Sequence, residues 1–209
     1  MDLSERFYDA LVYATRLHAA QRRKISGAPY AAHLLRVAGV VLEHATHEDE
    51  VIAALLHDAV EDQGGGAARK AIWERFGEQV AKIVEGCTDT DQTPKPPWRE
   101  RKQAYLTRLA SAPLSVRLVA AADKLDNARS LLSAYRATGD AVWQHFHGGR
   151  DGTLWYLHAV VDVLKRSERH ALFEELERTV AELVSLVLPA SSIEAKPTGA
   201  NPRADSACD

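Results

Sequence analysis

The stretch AALLHDAVED, residues 53–62, sets His57 beside Asp58 in an apolar run and adds Glu61 and Asp62 one helical turn later. At about 100° per helical residue the four side chains fan over less than half the circumference, while Leu56, Ala59 and Val60 point elsewhere. One imidazole and three carboxylates on one face suit a divalent cation of hard or borderline character. Buried without partners, such acids must take up protons or find a metal, a lysine or an arginine. The plain alternative for this helix alone is an acidic face turned to solvent. Two other places bear on the choice. His33 stands near the start of an apolar helix in SGAPYAAHLLRVAGVV, and Asp123 stands in another, LVAAADKLDNARSLL, beside Lys124, Asn127 and Arg129. Singly they read as a satisfied core histidine and a surface ion pair; their joint occurrence is much less likely to be an accident.

Helices must carry these groups. Apolar residues recur at helical spacing in Leu3, Phe7, Leu11, Ala14 and His18, then in Leu34, Val37, Val41 and Ala45. Further helices are predicted over 48–62, 67–85, 99–110, 114–136 and a long stretch around 152–187. Breaks are expected at GGG (64–66), TPKPPW (93–98) and GGRDG (148–152). With no competing strand pattern, the expected fold is all-α, with one domain over 1–188. Residues 189–209 lack apolar periodicity and are expected to form a disordered tail, since they bury too little surface to offset the entropy of ordering. No internal repeat, useful heptad seam or glycine-rich phosphate loop is present.

The 209 residues are 46% hydrophobic and 26% charged with a formal net charge of −3. There is no global basic field to draw the chain onto nucleic acid or an anionic membrane, so an anionic substrate must be met by local cations. Cys87 and Cys208 lie far apart, which points to a reducing compartment. The N-terminus lacks a secretory signal's basic start and apolar core, and no run could span a bilayer. A cytoplasmic location is expected.

The pattern His33, His57-Asp58, Asp123 resembles the signature of HD-domain metal phosphohydrolases, all-helical bundles that hold one divalent cation. Around it, HAAQRRKISGAPYAAH, LLHDAVED, FGEQVAKIVEGCTDT and AADKLDNAR are similar to successive blocks of the alarmone hydrolase domain of the Rel/Spo homologues, over about residues 3 to 165. TPKPPWRERKQAYL and GTLWYL resemble the small stand-alone bacterial members. That resemblance implies removal of pyrophosphate from the 3′ position of ppGpp or pppGpp, with His33, His57, Asp58 and Asp123 as ligands of a manganese ion. Other divalent metals are open on this donor set. It implies that Glu61 and Asp62 handle protons or orient the attacking water, without dividing the tasks. Arg23 of QRRK would stack on the purine and Lys24 would reach phosphate, with Asn127, Arg129 and Lys102 as further substrate contacts. His18, Thr88, Trp155 and Tyr156 match family positions but serve equally well as packing. Adenosine alarmones, a nucleotide or NADPH phosphomonoesterase and a nucleotide-sensing domain without catalysis are the competing functions. One departure from the family pattern stands out: Asp126 occupies a position where histidine or an aromatic is common. About 300° round the helix from Asp123, it would either repel a polyphosphate or face solvent.

Overall fold

The computed structural model describes residues 1–92 and 94–188. The chain forms α1 (Glu5–Leu17), α2 (Ala31–His44), α3 (Glu48–Leu56), α4 (Ala59–Gln63), α5 (Gly65–Phe76), α6 (Glu78–Cys87), α7 (Trp98–Ala110), α8 (Leu114–Thr138), a 3-10 turn (Gly139–His145), α9 (Gly149–Ser167) and α10 (Ala171–Val187). Among the described residues there is no strand, only an isolated bridge between Arg22 and Pro29. None of the described helices is long and apolar enough to cross a membrane. The segment 189–209, expected to be a disordered tail, lies outside the described residues.

Local chemistry sets many of the helix starts. Ser4 caps α1 by accepting from the Arg6 N–H at 3.2 Å, and Glu50 accepts from the Thr46 and His47 N–H groups at the head of α3. Pro97 and Pro113 occupy the cap positions of α7 and α8 with extended ψ, a placement that costs no helical hydrogen bond. The core is organised around α8. Val116, Leu118 to Ala122, Leu125, Ala128, Leu131 and Leu132 are all buried, and a helix that is apolar almost all round belongs inside. It packs against α2, α3 and α6 and against α9 and α10, whereas α7 packs on α9. Six consecutive residues of α3, Val51 to Leu56, are also buried, each large one contributing about 1.5–3 kcal/mol by leaving water.

Three predicted helices are interrupted. The helix expected over 48–62 is interrupted by a turn at His57-Asp58, with Asp58 at the edge of the helical region (φ −95°, ψ −3°). The His57 ring donates from Nδ1 to the Ala54 carbonyl at 2.8 Å, taking the acceptor that a continuing helix offers to the Asp58 N–H. The stretch 67–85 divides at Gly77, whose φ of +90° lies in the region that favours glycine. The C-terminal stretch divides at Glu168–His170, where His170 accepts from the Leu172 N–H and starts α10. GGRDG, expected as a break, is mostly the first turn of α9. Its Gly148 is there for closeness: an added Cβ would sit 2.7 Å from the Trp98 ring.

Candidate metal centre

The four predicted ligands converge from three helices that pack on one another. His33 lies in the first turn of α2, His57-Asp58 forms the turn between α3 and α4, and Asp123 lies in the buried middle of α8. His33 and His57 are 1% and 3% exposed. His33 Nε2 is 3.4 Å from Asp58 Oδ2 and 3.3 Å from Asp123 Oδ1; His57 Nε2 is 3.0 Å and 3.8 Å from the same two oxygens. Donor atoms bound about 2.1 Å from one ion lie roughly 3.0–3.4 Å apart, depending on coordination angle. The observed spacings are close to that range. Donor atoms of His33, His57 and Asp58 all lie within 4.8 Å of one another.

Each donor is oriented by a neighbour. With Nδ1 of His57 committed to the Ala54 carbonyl, its buried Nε2 makes no directed hydrogen bond among the described residues, although Asp58 Oδ2 stands 3.0 Å away; a metal would satisfy it. Nδ1 of His33 donates to Asp126 at 2.6 Å, the Tyr30 hydroxyl donates to Asp58 at 2.6 Å, and the Asn127 amide donates to Asp123 at 2.5 Å. Electrostatics ask for the same occupant. Burial opposes charge on His33, yet hydrogen bonds with Asp123, Asp126 and Asp58 push it up to about 9. His57 is likewise raised against burial, by Asp58 and Asp123. Asp58 and Asp123 stay well below the ordinary carboxylate range despite their surroundings, held there chiefly by His57 and by Lys124 respectively. Protons on the imidazoles supply the positive charge these acids demand, and a divalent cation supplies it in their stead. The donor set therefore fits a metal.

Two carboxylates stand one turn further on. Glu61 accepts from Lys95 at 2.9 Å and lies 3.5 Å from Arg101. Among the described residues no cation forms a salt bridge with Asp62; it accepts from the Gln21 amide at 2.8 Å. Gln21 is itself held by His18 Nδ1 at 2.6 Å and by Gln63 at 2.6 Å. Asp62 reaches solvent, but partial desolvation and the Asp58 charge still raise its carboxyl above the usual range.

Cations stand close by. Arg101 and Lys102 of α7 both bond Asp89, the latter at 2.7 Å. Lys124 bonds Asp123 at 2.5 Å. Lys102 and Lys124 stand 4.7 Å and 5.7 Å from the ring of Tyr156, whose buried hydroxyl has no partner. Burial and the Lys124 charge lower the Lys102 ammonium's pKa. Arg23 arrives from the opposite side, donating to Asn127 at 2.9 Å, and Lys24 is exposed in the same turn.

Not every predicted contact reaches this place. Arg129 is exposed and bonds Glu175 of α10, because it projects from the face of α8 that meets α10. Thr88 is satisfied locally by the Val84 carbonyl, and Trp155 packs beneath Arg99. Asp126 neither faces solvent nor stands over the donors: 4% exposed, it lies under His33 and bonds Arg36. The flank of α8 that carries it meets α2, so its angle from Asp123 leads into another helix. Tyr30, Gln21, Asp89, Arg101 and Lys124 also belong to the site. Only Lys124, beside a ligand in sequence, carried a local signal of this.

A sequence profile of the HD domain matches residues 10–154. The chain belongs to the HD-domain family. The matched span contains all four donors and both α4 carboxylates. Among curated relatives, this HD-domain protein is 36% identical over 131 residues to the guanosine-3′,5′-bis(diphosphate) 3′-pyrophosphohydrolase MESH1 of Drosophila melanogaster, covering 61% of this chain and 70% of that one. It is 37% identical over 129 residues to the guanosine-3′,5′-bis(diphosphate) 3′-pyrophosphohydrolase of Aquifex aeolicus, covering 61% of this chain but only 18% of that longer protein. A solved structure described as a metazoan ortholog of SpoT that hydrolyzes ppGpp superposes with a TM-score of 0.73 at 29% identity, over 87% of this chain and 97% of that one.

Proposed function

We propose that the protein hydrolyses the 3′-pyrophosphate of guanosine alarmones, converting ppGpp or pppGpp and water to GDP or GTP and pyrophosphate. The observation that carries this reading is the four-residue donor cluster, into which the buried His57 Nε2 is turned without a directed hydrogen bond, with the α4 carboxylates and the cations of α7 and α8 beside it. Manganese is the ion we propose, because the resemblance to the Rel/Spo hydrolase domain implies it; the equal mixture of imidazole and carboxylate donors accommodates it. A bound divalent ion supplies an acidified water and polarises a phosphoryl oxygen.

The chain's own residues do the rest. Asp62, in no salt bridge among the described residues and raised in proton affinity, takes the proton of the attacking water. The water oxygen bonds to the phosphorus on the ribose 3′ oxygen. That P–O bond breaks, its electron pair stays on the ribose oxygen, and the proton taken by Asp62 returns there to complete the 3′ hydroxyl. Glu61 keeps Lys95 and Arg101 at the site, and Lys102 and Lys124 meet the negative charge of the departing pyrophosphate. Arg23 presents its guanidinium face to the purine, and exposed Lys24 reaches phosphate. Arg129, engaged by Glu175, has no part in this assignment. We infer a cytoplasmic setting for this reaction.

Purified protein incubated with Mn²⁺ and ppGpp is expected to release pyrophosphate, with a His57→Ala variant as control. No turnover at micromolar enzyme would sink the proposal. Running ppApp and NADPH alongside separates the purines. Orthophosphate as product points to a phosphomonoesterase, and tight binding without turnover to a sensor.

A further inference from the structure

Asp126 is the buried acid that the proposed reaction does not use. One of its oxygens, Oδ2, accepts from His33 Nδ1 at 2.6 Å and from Arg36 Nη2 at 3.2 Å, while Oδ1 accepts from Arg36 Nε. The same Oδ2 stands 3.7 Å from Arg23. A fork of two guanidinium N–H groups fixes the carboxylate from the solvent side, and the imidazole is bonded from the inner side. With the Nδ1 proton committed to Asp126, Nε2, 3.4 Å from Asp58 and 3.3 Å from Asp123, is the nitrogen left to give up its proton and offer a lone pair to an ion. His57 has the corresponding arrangement with a neutral partner, the Ala54 carbonyl. The two imidazoles are therefore held by unlike acceptors, one of them charged.

We propose that Asp126 is a positioning residue for the metal centre: clamped by Arg36, it fixes the ring and tautomer of His33 and makes Nε2 a stronger donor to the ion. The inference rests on the metal-site reading above. The simpler role for the same contacts is to join α2 to α8, and the two roles part in metal affinity. A charged acceptor on the far nitrogen increases the electron density the ring offers a metal, and removing such a partner typically weakens binding about 10- to 100-fold.

The test compares wild type with Asp126→Asn, measuring Mn²⁺ affinity by competition with a chelating dye and the visible absorption of the Co²⁺-loaded protein. The expected result is Mn²⁺ affinity lower by about 10- to 100-fold and shifted Co²⁺ bands. Wild-type affinity and an unchanged spectrum, whatever happens to the melting temperature, would overturn the proposal and leave Asp126 as a link between helices. If Asp126→Asn does not fold, the pair Asp126→Asn with Arg36→Gln removes both charges together and keeps two groups able to hydrogen-bond; it is read the same way. Failure of wild type to bind either ion sinks the metal site itself, whereas wild-type binding unaltered by the substitution sinks only the role of Asp126.

Discussion

Charge is buried on both sides of the Asp123-Lys124 step of α8, and the two sides are held differently. On the metal side every donor projects from α2, α3, α8 or the turn after α3, elements packed on one another in the core. Each has a fixed partner: Ala54, Asp126, Tyr30 and Asn127. On the cation side, Arg101 and Lys102 come from α7, which packs on α9, and Lys95 comes from the segment before it. Their partners are the carboxylates of Asp89 and Glu61, and Asp89 Oδ1 and the Tyr156 hydroxyl stay unpartnered. Atoms whose mutual distances must be fixed are drawn from the interior. In the proposed reaction, cations that meet an arriving anion are parked on acids that the anion can replace.

If that division holds, substitutions on the two sides fail in different ways. The largest effect is expected on the metal side. His57→Ala removes a donor and leaves Asp58 without its main compensating charge, so Mn²⁺ binding and ppGpp hydrolysis should both collapse. The rate should fall by more than roughly a thousandfold, because water activation and charge neutralisation together supply several kcal/mol. Dye competition beside a pyrophosphate-release assay checks both. Retained turnover with lost metal would break the assignment.

Asp62→Asn should spare metal binding and lower kcat by roughly 10²–10⁴-fold, the usual size of a general-base contribution. Its pH profile is the sharper readout. Because the Asp62 carboxyl is raised, it stays protonated to a higher pH than an ordinary carboxylate, so wild-type kcat should fall as pH drops through a value above the usual carboxylate range. In the variant that acid limb should disappear while Mn²⁺ affinity stays at the wild-type level.

Lys102→Ala tests the other side. Loss of a charge-assisted contact costs roughly 1.5–3 kcal/mol, or about 10- to 100-fold, and should appear in KM for ppGpp with Mn²⁺ affinity unchanged. A loss of metal affinity instead would merge the two sides into one. A smaller, graded effect follows from His33. Held at about 9 without metal, it carries a proton at neutral pH that the ion must displace. His57 is raised as well and gives up its proton too, so Mn²⁺ affinity should rise with pH by about tenfold per unit for each proton displaced. Calorimetry in buffers of different ionisation enthalpy measures the released proton directly.

Much of the metal side was legible in the sequence because its donors break strong apolar periodicity: His57 and Asp58 in Val51 to Val60, Asp123 after Leu118 to Ala122. A polar residue in a buried helix announces a partner, and few partners accept two imidazoles and two carboxylates. The helical class followed from the same periodicity. The breaks were less legible, because the turn at His57-Asp58 depends on a ring reaching back to Ala54, which spacing does not encode. Asp126 was misplaced for a related reason: a helical-wheel angle gives direction from an axis, not which helix lies there. Asp89 and Arg101, distant in any helical pattern, meet only through the packing of α7 and carried no local sign of it.

Arg129 separates motif from geometry most cleanly, and its expected effect is the smallest. By resemblance it belongs with Asp123 and Asn127, as part of AADKLDNAR. In space it leaves α8 toward α10, where it is half exposed and ion-paired with Glu175. An exposed pair of this kind contributes about 0–1 kcal/mol, and removing its cation leaves Glu175 free to hydrate. Arg129→Ala should therefore keep kcat, KM and Mn²⁺ affinity within about twofold of wild type, with a stability change below about 1 kcal/mol in urea unfolding. A tenfold rise in KM would show that Arg129 abandons Glu175 when nucleotide binds. The cation side would then extend along α8 past Lys124, and the boundary between fixed donors and movable cations would have to be redrawn around that helix.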